Sequence, residues 1–116
     1  MPAYQFKNAT ANEVGTTGAE VYTVPSAKKS IMIGCSISNV TGSTLPAEVQ
    51  LIKADNTVIH LSTSTRIIGG TTQDLFQGKK LVLQTGEKIK VLSKVDQSFD
   101  VAVSYTHLRA HETPIN

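Results

Sequence analysis

The sequence predicts an all-β fold: an antiparallel β-sandwich, jelly-roll-like, led by a flexible N-terminal arm. Three observations predict it. Short runs in which apolar and polar residues alternate recur along the chain, and turn residues break them about every ten positions. Ser and Thr are abundant while charged residues make up only 17% of the 116 positions, and β-branched Thr suits strands better than helices. No stretch keeps a helical period beyond about two turns, and no strand–helix alternation supports a parallel sheet.

The elements follow in chain order. Residues 1–20 are rich in Thr, Ala, Asn and Gly with little periodicity, so they read as an arm or loop. Val21-Tyr22-Thr23-Val24 is a short β-branched and aromatic strand closed by Pro25. Beyond the polar turn at Ser26–Lys29, Ile31, Ile33, Cys35 and Ile37 alternate with smaller or polar residues, which places them on one face of a strand. Ala47, Val49 and Leu51 alternate in the same way. A turn at Ala54-Asp55-Asn56 returns the chain through Thr57–Leu61, so residues 46–62 read as a hairpin. Arg66–Ile68 is short and stops at Gly69-Gly70, and Leu75-Phe76 is a brief apolar point. Leu81–Leu83 and Lys88–Val91 read as a second hairpin around Gly86. Phe99, Val101 and Val103 alternate along the last strand.

The expected core is therefore Ile31, Ile33, Ile37, Val49, Leu51, Ile59, Leu61, Leu81, Leu83, Ile89, Val91, Val101 and Val103. Residues 21–105 form the expected sandwich domain. One domain of this length buries roughly two-thirds of its unfolded surface.

Composition narrows the function classes. Eleven basic and nine acidic residues, mixed along the chain, make no electrostatic footprint for nucleic acid. No apolar run approaches the ~20 residues of a membrane helix, and no signal peptide is visible. The single cysteine, Cys35, excludes an internal disulfide and a cysteine-based zinc cluster, and its place on an apolar face reads as core. His60 reads as an exposed strand residue. Asp55, Asp74, Asp96 and Asp100 lack calcium-loop spacing, and Asp96 and Asp100 read as local caps. Gly69-Gly70 reads as a bend, because no helix follows to bind an anion. The sequons at Asn8 and Asn39 read as chance matches in an Asn/Thr-rich chain. The pairs Lys28-Lys29 and Lys79-Lys80 read as solubilising turn lysines that guard strand edges. No catalytic, cofactor or metal set emerges, so the chain is expected not to be an enzyme and to need no cofactor.

Two resemblances add to this reading. The polar arm, the V-Y-T-V-P segment (Val21–Pro25), the Ser-Asn-x-Thr-Gly turn (Ser38–Gly42), the L-V-L-x-x-G-E-K-I-x-V run (Leu81–Val91) and the closing D-V-A-V-S-Y strand resemble small structural proteins of tailed-phage virions. The resemblance covers about residues 18–105. It implies a capsid decoration or cement protein that self-associates, as a trimer, and binds other virion proteins, with no nucleic acid or membrane partner. Such a protein is assembled in the host cytoplasm and resides in the virion. A receptor- or glycan-binding module associated with a tail fibre is the alternative. The second resemblance concerns Ser104–Thr113, which looks like the residue-for-residue translation of a transposase sequencing adaptor. It implies that residues 106–116 are a non-native tail, that His107, Arg109 and His111 serve no function, and that the gene comes from fragmentary, metagenomic DNA. On that reading the tail lies outside the sandwich and its removal leaves the melting temperature unchanged.

Overall fold

The computed structural model describes residues 6–109, which carry nine strands: β1 (Phe6–Val14), β2 (Ala19–Thr23), β3 (Lys28–Asn39), β4 (Leu45–Ile52), β5 (Val58–Ile67), β6 (Thr72–Asp74), β7 (Leu81–Leu83), β8 (Lys88–Ser93) and β9 (Phe99–Arg109). They form two antiparallel sheets packed as a sandwich. One runs β1-β9-β3-β6, with β7 also paired to β3, and the other runs β2-β8-β4-β5. If β6 and β7 are counted as two halves of one interrupted strand, these are the strand orders of an eight-stranded jelly roll. The core lies between the sheets and includes Met32, Cys35, Ile37, Val49, Ile67, Leu83, Ile89, Val91, Phe99 and Val103, all 0% exposed.

Strand β3 corrects the expected core. Ser30 and Met32 face inward, and so do Cys35, Ile37 and Asn39, whereas Ile31 and Ile33 sit half-buried on the outer face. The cause is a β-bulge: Met32 pairs with Tyr105 and Gly34 with Ser104, which leaves Ile33 as an extra residue. One extra residue reverses the inward phase of the strand.

Ile59 and Leu61 differ in another way. Leu51, which is buried, pairs with Ile59, so this face of β5 points between the sheets. Yet Ile59 is 42% and Leu61 37% exposed, because the strands across from them are only three residues each, β6 and β7. The 46–62 hairpin itself forms as β4–β5. Leu81 is half-buried against the core, and the remaining expected core residues are buried.

The second expected hairpin does not form. β7 pairs with β3 in one sheet, and β8 pairs with β2 and β4 in the other, so the Gln84–Glu87 turn carries the chain across the sandwich. Val24 grips that turn: its N–H donates to the Glu87 carbonyl at 2.9 Å and its carbonyl accepts from Gly86 at 3.2 Å. Gly86 has φ +84°, a left-handed angle that glycine adopts without a Cβ penalty. Glu87 Oε1 accepts the Gln84 N–H, and its Oε2 lies 2.6 Å from Lys53 Nζ.

Within the expected arm, Phe6–Val14 is an edge strand, β1, running antiparallel to β9 from Phe6↔Thr106 to Val14↔Phe99. Ala9 and Ala11 pack against the core and Val14 is buried in it. The ladder satisfies the β1 backbone groups that face β9 and leaves the others to solvent, so the strand needs little apolar bulk of its own. Residues 1–5 lie outside the described residues. At the other end, Thr106–Arg109, expected outside the sandwich, continue β9 and pair with Lys28–Ile31. Ladder bonds are made by the backbone and hold for almost any side chain. Residues 110–116 lie outside the described residues.

Candidate interaction surfaces

Four loops meet at one end of the sandwich: Gly15–Gly18, Val40–Thr44, Ile68–Thr71 and Lys94–Gln97. Backbone bonds join them, among them Val40 N–H to the Ser98 carbonyl, Gly70 N–H to the Asn39 carbonyl and Ser93 N–H to the Gly15 carbonyl. Asn39 is the internal staple. Its buried amide donates to the carbonyls of Ser43 (2.7 Å) and Ile67 (2.9 Å), and its Oδ1 accepts from the Thr41 N–H and hydroxyl. Gly69 lies against Gly42, where a Cβ would come within 2.7 Å of backbone. From these tied loops three apolar side chains reach solvent: Val40, Ile68 and Val95. The loop chemistry was legible in the Asn-x-Thr-Gly and Gly-Gly signals, but their meeting at one end was not.

A second surface is a groove of about 380 Å³ on the outer face of the first sheet, lined by Thr10, Asn12, Ser36, Ser38, Asp100 and Ala102 among others. Small side chains on β1, β3 and β9 make it concave. Ser38 Oγ and Thr72 Oγ1 share a hydrogen bond of 2.7 Å beside it.

The third surface is the mouth between the sheets at β5, a groove of about 430 Å³ lined by Leu61, Leu75, Phe76, Leu81, Lys79 and Lys80 among others.

The residues weighed for chemistry are dispersed. His60 is exposed on the outer face of β5, its Nε2 3.3 Å from Glu48 Oε2. Cys35 is buried, and burial first, with Asp74 second, pushes its thiol up to about 12. Asp74 Oδ1 accepts the N–H groups of Cys35 and Phe76, and Asp100 accepts that of Glu13. Asp96 accepts from the Thr16 N–H and hydroxyl, which hold its carboxyl below the usual range. Asp55 is held low by its bonds from Thr57. Asp55 caps its own turn, whereas Asp96 and Asp100, expected as local caps, tie the β1–β2 region to the β8–β9 end across 80 and 87 residues of chain, because the two loops meet in space. Of the two sequon asparagines, Asn8 is exposed on β1 and Asn39 is buried. Among the described residues no group of three or more His, Cys, Asp or Glu is placed to hold a metal ion.

One polar cluster has no local signature in the sequence. Tyr22 Oη bonds Ser30 Oγ at 2.6 Å and His107 Nε2 at 2.8 Å, and the Tyr22 ring lies 4.1 Å from that of Tyr105. Burial raises the Tyr22 hydroxyl above its usual range, while the Ser30 bond pulls it down. Burial, then Lys28 and Lys7, lowers His107. Thr106 Oγ1 is buried and has no hydrogen-bond partner among the described residues.

No family model matches the chain, and no curated protein matches it. Among solved structures it is similar to a chain in the structure of the infectious bursal disease virus Gt strain, with a TM-score of 0.45 and 12% identity. The similarity covers 97% of this chain and 32% of that one, so the chain spans about a third of that neighbour's length.

Proposed function

We propose that the chain is a non-enzymatic structural protein of a tailed-phage virion, a capsid decoration or cement protein that acts as a homo-oligomer. The observation that carries this reading is the knitted loop end with Val40, Ile68 and Val95 exposed. Apolar side chains held out on a rigid frame lose little entropy when another surface covers them, which is what an assembly contact requires. Two further supports are the jelly-roll topology, a fold used by viral capsid domains, and the sequence resemblance over residues 18–105. The fold-level support is an analogy, because one fold serves many functions. On this reading the protein is assembled in the host cytoplasm, resides in the virion, and has other virion proteins and further copies of itself as partners.

The alternative is a glycan- or receptor-binding module associated with a tail fibre. The polar groove of Thr10, Asn12, Ser36, Ser38 and Asp100 favours it, because hydroxyl, amide and carboxylate groups match sugar hydroxyls. Jelly rolls also serve as lectin domains.

The test has two arms. Mass spectrometry of purified virions carrying this gene is expected to find the chain at a stoichiometry matching capsid sites, and light scattering is expected to find a trimer. A chain missing from the virion, or a strict monomer that ignores its neighbouring virion proteins, overturns the decoration reading. Binding on a glycan array that is lost in Ser36→Val/Ser38→Val supports the alternative.

A further inference from the structure

We propose that the mouth between β5 and the β6–β7 segment receives an extended segment of a partner protein, apolar on one face and carboxylate-bearing, which pairs with β5 as an added strand. This inference rests on the fold and holds whether or not the virion reading does.

The jelly roll is unfinished at this mouth. Among the described residues β5 is the last strand of its sheet and pairs with β4 alone, so its outer backbone groups are open there. Its inward-facing residues Ile59 and Leu61 have no full strand opposite them. Leu61 lines the groove, and Leu75, Phe76 and Leu81 face it from the β6–β7 segment. A strand beside β5 would take up the open N–H and C=O groups and set alternate side chains into this groove, closing the core.

Charge states the chemistry of the occupant. Lys79 and Lys80 stand at the rim, both exposed, and among the described residues neither takes part in an ion pair. A second copy approaching β5 to β5 would bring these cations together, whereas a strand bearing Glu or Asp would pair with them. The bulges in β5, at Leu61 and at Thr63–Ser64, interrupt its regular pairing, so the ladder is expected along Val58–Leu61, with the added strand entering the groove at Leu61.

The probe is a capped eight-residue peptide of four Val-Glu repeats, titrated onto the full chain by fluorescence anisotropy, with amide exchange read in parallel. The expected result is saturable binding below about 1 mM, protection of the amides in Val58–Leu61, and at least about tenfold weaker binding of the Val-Lys counterpart. Lys79→Glu/Lys80→Glu, both exposed in a turn, is expected to invert that preference. A Val-Glu peptide with alternate backbone nitrogens methylated is expected not to bind, because it cannot form the ladder. Equal binding of the two peptides, indifference to the lysine reversal or to N-methylation, or protection on β1 or β2 instead would each overturn the proposal. So would concentration-dependent dimerisation that protects Val58–Leu61 in the chain alone.

Discussion

Met32 and Ile33 are adjacent in sequence and opposite in environment, and their truncation separates the bulged strand from a regular one. Met32→Ala removes a fully buried side chain and is expected to cost about 2–5 kcal/mol by transfer and cavity terms. Ile33→Ala, on the outer face, is expected to cost well under half of that; urea unfolding of both variants is the check, and a reversed order would restore the regular strand. At the same scale Cys35 is a guarded thiol. Its folded value of about 12 lies above the ordinary 9.0. The neutral thiol's contribution to stability is therefore complete below about pH 9 and lost as pH climbs toward 12, because the unfolded chain releases that proton first. A thiol reagent at pH 8 is expected to label the native chain no faster than it opens, and a rapid stoichiometric reaction would mean that the site is accessible.

At the scale of elements, β1 and the end of β9 depart furthest from the sequence reading. If β1 is a ladder strand, alternate amides of Phe6–Ala11 are protected in the isolated chain, whereas an arm would exchange at random-coil rates. The outer part of β9 makes a paired expectation. Ending the chain after Tyr105 removes the partners of Lys28–Ile31 and the His107 bond to Tyr22. The melting temperature is expected to fall, by about 4–8 °C for each kcal/mol lost. His107 adds a pH signature. Its folded value lies below the ordinary 6.5, so the unfolded chain takes up the proton first and stability falls as pH drops below about 6.5. The truncated chain is expected to lack that dependence, and an identical acid profile in both would remove the Tyr22–His107 contact.

At the scale of the molecule, the described surface divides into a knitted apolar tip, a polar concave face and an unfilled mouth. Replacing Val40, Ile68 and Val95 together by Ser is expected to leave the fold intact, since surface changes mostly fall within about 0.5 kcal/mol each. Under the decoration reading the same triple variant loses self-association, seen as a smaller mass by light scattering. An unchanged oligomer would move the contact elsewhere.

Local sequence pattern was enough for the all-β class, the 46–62 hairpin, the turn positions and most of the core in β4, β8 and β9. These follow from local rules: period-2 alternation, β-branched content and turn residues act within a few positions of one another. Asp96 and Asp100, expected as local caps, instead hold the backbone of Thr16 and Glu13, 80 and 87 residues away, which no local pattern shows. The rest depends on pairing between distant segments. The bulge at Ile33 depends on what β9 offers opposite it, and the crossing at Gln84–Glu87 depends on Val24, some sixty residues away. That Ala9 and Ala11 belong to a strand depends on the β9 ladder. That Ile59 and Leu61 point inward and remain uncovered depends on how short β6 and β7 are. Alternation states which residues share a face; what lies across that face is set by pairings between distant segments, and no local pattern encodes them.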